Sequence, residues 1–145
     1  MRNLRVYFRK TSRLSAEERT IVREDIEACV RFVRKSGYRP RVLVFVVGGS
    51  RGRFLGMSYG YANWHLPYVA RTPWVWGSLI ELYSRLLKWG REQFLRTTFH
   101  EIAHALRVEG GGYRLGTRRS DEKRENCEAD ASTWAEAMLA DFLVQ

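Results

Sequence analysis

His100, Glu101 and His104 stand in the order His-Glu-Ile-Ala-His, and the chain holds only one further histidine, His65. On an α-helix, positions four apart project from one face about one turn from each other, so both imidazoles can bind one ion. Glu101 is rotated by about 100° from His100 and can bring its carboxylate near the ion without becoming a ligand. This spacing predicts a zinc hydrolase in which zinc acidifies a water and polarises a scissile carbonyl. Glu101 then takes the proton as general base and returns it to the leaving amine. Two unrelated histidines produce the same pattern by chance. Against chance, two of the three histidines fall on it, and Phe99, Ile102, Ala103, Ala105 and Leu106 supply the apolar flank of a packed helix.

A catalytic zinc takes three protein ligands and leaves its fourth position for water. No histidine follows His104, and positions 107 and 110 are Arg and Gly where a metzincin would need Gly and His. The downstream carboxylates are Asp121, Glu122, Glu125, Glu128 and Asp130. Measured from an apolar stripe of Cys127, Ala131, Trp134, Met138 and Phe142, Glu128 lies about 70° off centre, Asp130 about 90° on the other flank, and Glu125 further out. Glu128 is the best placed, although a carboxylate near a helix N-terminus is also favoured for its own sake. Pairing Asp130 with Asn126 is rejected because an amide is a poor zinc ligand. For the oxyanion, Tyr113 and His65 are the candidate donors, each also readable as a structural residue.

The elements that must position these groups follow from periodicity. Leu4–Phe8 alternates as a first strand. Ser15 and Glu18 have capping-box spacing ahead of Val22, Ile26, Cys29 and Val33, which predicts a helix of about five turns ended by Gly37 and Pro40. Residues 41–47 are β-branched and apolar on both faces, as in a central strand ended by Gly48 and Gly49. Residues 54–70 predict two further strands with their turns, and residues 54–61 an edge strand along which an extended substrate pairs. From Ser78 the spacing of Leu79, Leu82, Leu86 and Trp89 predicts a helical segment, broken at Gly90 from a second over residues 91–108. Gly110, Gly111 and Gly112 end it. A polar loop over residues 117–123 then leads to the C-terminal helix. The class is α+β: a small mixed sheet packed against an N-terminal helix, the helix of His100 and His104, and a C-terminal helix, in one domain over residues 1–145.

With Thr97-Thr98-Phe99 ahead of His100 and with the later run from Glu128 to Leu139, including Asp130, Ser132 and Trp134-Ala135, the chain resembles the small gluzincins of the ImmA/IrrE type. The resemblance implies a zincin fold, Glu128 as third ligand, Trp134-Ala135 as the family's aromatic-Ala pair, and Ser132 as the residue behind the ligands. Ser132 departs from the Asn or Asp usual there, and no Met-Pro follows the helix.

Composition bounds the alternatives. Two cysteines, Cys29 and Cys127, lie far apart without ligand spacing, as in small buried hydrophobes of a reducing compartment. The N-terminus reads as no secretory signal and residues 42–47 are too short an apolar run to cross a bilayer, so a cytoplasmic protein without membrane contact is expected. Net charge is +9, from 21 Arg and 4 Lys against 16 acidic residues. Such an excess favours nucleic acid, but the arginines are dispersed with no run longer than two. The leading expectation is a zinc endopeptidase acting on a protein or peptide. The alternatives are a nucleic-acid-associated zincin and an inactive zincin interaction module.

Overall fold

Leu4, Val6 and Phe8 alternate with Arg5 and Tyr7, and this period of two forms β1 (Leu4–Phe8) in the computed structural model. The structure describes residues 3–40, 42–49, 56–64, 75–109 and 121–145, with backbone alone at 56–64, 75–78, 107–109 and 121–127. After a 3-10 helix (Lys10–Ser12), Ser15 caps α1 (Ala16–Lys35): its Oγ accepts the Glu18 N–H and the Glu18 carboxylate accepts the Ser15 N–H. Gly37, at φ +98°, turns the chain out of the helix as expected.

The chain then forms β2 (Val42–Gly48), β3 (Gly56–Trp64), β4 (Val75–Tyr83), a second 3-10 helix (Ser84–Trp89), α2 (Arg91–Glu109) and α3 (Asp121–Leu143). The sheet order is β1-β2-β4-β3, with the first three strands parallel and β3 antiparallel at the edge. This is a mixed α and β architecture with a small mixed sheet.

Leu43, Phe45, Val47, Ile80 and Leu82 face the helices and share one core with Val22, Ile26, Val33, Phe94, Phe99, Ile102 and Met138. On the other face of the sheet, Val44, Val46 and Leu79 form a second cluster with Tyr7 and Val42. Burial on both faces is what the unbroken apolar run of β2 demands. On that second face the buried Glu81 accepts from Arg9 at 3.2 Å and from the Tyr83 hydroxyl at 3.0 Å, so its charge is paired.

Two expectations are corrected. Residues 78–83 are not helical: they belong to β4, and only residues 84–89 coil, as a 3-10 helix with Trp89 64% exposed. Leu79 and Leu82 lie on opposite faces of a central strand, and their helical spacing is the by-product of burial on both sides. Of the two strands expected within residues 54–70, β3 covers residues 56–64, and residues 54–55 and 65–70 lie outside the described ones. The loop expected over 117–123 is cut short at Asp121, where α3 begins.

Candidate metal centre

Gly90, at φ +94°, separates the second 3-10 helix from α2, whose first turn closes with the Phe94 N–H donating to the Gly90 carbonyl at 3.1 Å. Phe94, Leu95, Phe99, Ile102 and Ala105 then bury one face of α2 completely. The Phe99 ring sits edge-on to Phe32, Trp134 and Phe142 at centroid distances of 6.3, 6.4 and 5.6 Å. This aromatic wedge fixes the rotation of α2, and with it the direction in which His100 and His104 project.

α3 packs on α2 through Ala131, Ala135, Met138, Leu139 and Phe142. The side chain of Cys127 falls outside the described residues. Arg96, one turn before His100, donates to Glu136, two turns after Glu128, and also pairs with Glu92 at 3.2 Å. The apolar contacts hold α3 along α2 with Glu128 opposite the two histidines, and this link spans the same pair of helices. Nothing in the sequence marked the Arg96–Glu136 pair, because it joins two helices.

Three donors converge. His100 Nε2 is 3.0 Å from Glu128 Oε2, His104 Nε2 is 2.9 Å from Glu128 Oε1, and the two Nε2 atoms are 3.1 Å apart. All three ligand atoms lie within 4.8 Å of one another. The expected trio of His100, His104 and Glu128 is thus brought together. Asp130 lies elsewhere on α3, exposed beside Trp134, and the side chains of Asp121, Glu122 and Glu125 fall outside the described residues. Tyr113 and His65 also lie outside them, as do Gly110, Gly111 and Gly112.

Ser132 stands one turn after Glu128, its Oγ 3.3 Å from His100 Nδ1. With the proton on Nδ1, His100 donates to this hydroxyl and its Nε2 lone pair points into the cluster, the tautomer that metal ligation requires. Two facing imidazole lone pairs and a carboxylate repel unless a cation lies between them. In the metal-free chain a proton on His100 can take that part. Burial favours neutral His100, but its hydrogen bond to Glu128 and the nearby Glu101 and Glu128 charges outweigh this and raise its pKa. Hydrogen bonds from His100 and His104 hold the Glu128 carboxyl well below the usual carboxylate range.

The donor set suits zinc, which takes two imidazoles and a carboxylate in known catalytic sites. Ligands of tetrahedral zinc lie roughly 3.3 Å apart, a few tenths beyond the 2.9–3.1 Å found here. Glu101 lies between the two histidines in sequence, 6% exposed. Burial pushes its carboxyl up to about 7, against the opposing pull of the imidazoles of His104 and His100.

Beside His104 a recess of about 410 Å³ is lined by Tyr38, Ala103, Leu106, Ala131 and Trp134, with Asp130 at its margin. Tyr38 meets Trp134 edge-on at 5.3 Å. Tyr38 lies beyond the end of α1, and sequence spacing could not relate it to the site. No family model matches the chain, and no curated protein or solved structure matches it, so the chemistry of these residues carries the functional reading.

Proposed function

We propose that the chain is a zinc-dependent endopeptidase of the gluzincin kind, with His100, His104 and Glu128 as metal ligands and Glu101 as general base. The observation that carries this reading is the convergence of two imidazole nitrogens and a carboxylate within 4.8 Å, next to a carboxyl buried in the wall of the same helix. Zinc bound there would supply a Lewis acid for a carbonyl and lower the pKa of water.

The chain's own residues supply the rest. Glu101, buried beside the two histidines and with its carboxyl pushed up by burial in the metal-free chain, is the group placed to accept a proton and return it. Ser132 orients His100, and the apolar contacts between α2 and α3 keep Glu128 over the histidines. β3 lies at the sheet edge and against α2, so an extended protein or peptide substrate can add to it through backbone hydrogen bonds. The recess beside His104 offers apolar walls for one of its side chains. In this reading the fold is a zincin and the compartment the cytoplasm. No described helix is long and apolar enough to cross a membrane. A buried general base argues against an inactive interaction module, since a purely structural metal site has no use for one.

The test pairs metal content with hydrolysis of a quenched-fluorescence peptide library. Wild type should take up one zinc per chain and cleave. Glu101→Gln should keep the zinc and lose about 10²–10⁴-fold in rate, the usual contribution of a general base. Absence of zinc uptake, or hydrolysis by Glu101→Gln at the wild-type rate, would refute the assignment.

A further inference from the structure

At the opposite end of α1, the carboxyl ends of the three parallel strands open on a cavity of about 690 Å³. Its walls are the segments that leave those strands: residues 11–14 after β1, Gly49 after β2 and residues 84–88 after β4, with Glu18 from the first turn of α1. In open α/β sheets ligands bind outside the carboxyl ends of strands where the strand order reverses; β1, β2 and β4 run in one direction, so the lining itself carries the case here. The volume falls within the range of about 300–1,000 Å³ usual for small-molecule sites.

The lining is cationic. Arg13, Arg85 and Lys88 line it together with Glu18, whose Oε1 accepts the Ser15 N–H at 3.0 Å. Ser12 is an independent pointer to a ligand. It is 3% exposed, belongs to the lining, and its Oγ has no hydrogen-bond partner among the described residues. A buried hydroxyl in this state is unfavourable until something supplies the missing bond. Its neighbour Thr11 is already engaged, its Oγ1 accepting the Gly49 N–H at 3.1 Å. A Cβ on Gly49 would come within 2.7 Å of the Thr11 carbonyl oxygen, so glycine alone lets the end of β2 close against this turn. Arg13 holds a left-handed φ of 54°.

We propose that this cavity binds a small phosphate-bearing molecule, its phosphate oxygens held by Arg13, Arg85 and Lys88 and by the Ser12 hydroxyl. Guanidinium groups present paired N–H donors that match phosphate oxygens. The cations converge on one recess fed by three strands, which suits a compact ligand better than a polynucleotide. The site is separate from the metal centre, and it stands whether or not the chain hydrolyses peptides.

Calorimetric titration of the full chain tests this with pyrophosphate, with ADP as a phosphate carrier bearing an organic body, and with a short DNA duplex. Pyrophosphate should bind saturably, one per chain, and more weakly as salt rises. Arg13→Asn keeps the backbone, since Asn tolerates the left-handed region, and should weaken binding by about tenfold or more through loss of a charge-assisted bond. Ser12→Ala should weaken it about threefold or more, while leaving the thermal midpoint unchanged or higher, because it removes an unpartnered hydroxyl. Zinc content should be the same in both variants. The proposal is overturned if neither pyrophosphate nor ADP binds saturably, or if both variants bind like wild type. It is also overturned if the duplex binds more tightly than pyrophosphate and depends on Arg13, which would mark a polyanion surface instead.

Discussion

The two ends of α1 differ in how their sites are built. Its 20 residues span roughly 30 Å, from the phosphate cavity at Glu18 to the recess beside His104, where Tyr38 meets Trp134. At the second end the proposed ligands stand on two packed helices and already touch one another at 2.9–3.1 Å. At the first end the groups stand on connecting segments. A site carried by helices is fixed by the core beneath it, whereas one carried by connections is fixed by local turns such as the Thr11–Gly49 contact. Substitutions at one end should therefore leave the other intact.

The largest expected effect is at the helical site. His104→Ala removes one of the three proposed ligands and should lower zinc affinity by more than the roughly 10–100-fold that loss of an outer partner costs, as read by competition with a chelating dye. Pyrophosphate binding should be unchanged. An equal loss at both sites would show that the two ends are coupled through α1.

Proton linkage should give the metal centre a signature the cavity lacks. In the metal-free chain the pKa of Glu101 is raised from 4.5 to about 7 and that of His100 is raised above 6.5. The folded state therefore holds more protons than the unfolded chain in this range. That stability is fully present below the unfolded values and is lost as pH rises through the folded ones. Glu128 acts in the opposite sense, its depressed pKa contributing stability above the ordinary value of 4.5 that is lost at lower pH. Between about pH 5 and 8, the metal-free thermal midpoint should fall as pH rises. The stabilisation added by zinc should grow over the same range, because the His100 imidazole must lose its proton to bind it. Parallel thermal scans with zinc and with chelator test this. Curves that never diverge with pH would argue against an imidazole-held ion.

How much of each end could be read from sequence follows from the same contrast. His100, Glu101 and His104 were legible because a helix repeats every 3.6 residues and their chemistry is confined to five positions. Glu128 needed a second helix, yet its angle to the stripe of Cys127, Ala131, Trp134, Met138 and Phe142 made it the best placed of the downstream carboxylates, and Ser132 came with the family resemblance. The Arg96–Glu136 link and Tyr38 were not legible, because each joins elements whose relative placement no local period encodes. The cavity was invisible for a stronger reason: Ser12, Gly49 and Arg85 come from three separate connections that only the parallel sheet order brings together. In the fold, β1, α1, β2 and α2 followed from pattern and caps, whereas β4 was mistaken for helix because a strand buried on both faces has no period of two to betray it.

Ser132→Ala should lower zinc affinity by roughly 10–100-fold, since it frees the His100 ring to turn and to change tautomer. Ser132→Thr keeps the hydroxyl and should restore most of that affinity. Loss of affinity in both variants would mean that packing at this exposed position matters more than the hydrogen bond to Nδ1.

The smallest expected effect isolates α1 itself. Ser15→Ala removes the side chain that accepts the Glu18 N–H at 3.1 Å and breaks the reciprocal capping pair. Loss of such a cap costs about 1 kcal/mol of stability, measurable by urea denaturation. Because Ser15 sits at the cavity end of the helix, the cost should come from the first turn alone, and zinc affinity at the other end should match wild type. A zinc affinity that falls along with the cap would mean that fraying travels the length of α1 to Tyr38 and Trp134. The helix would then act as one rigid rod joining the two sites instead of a spacer between them.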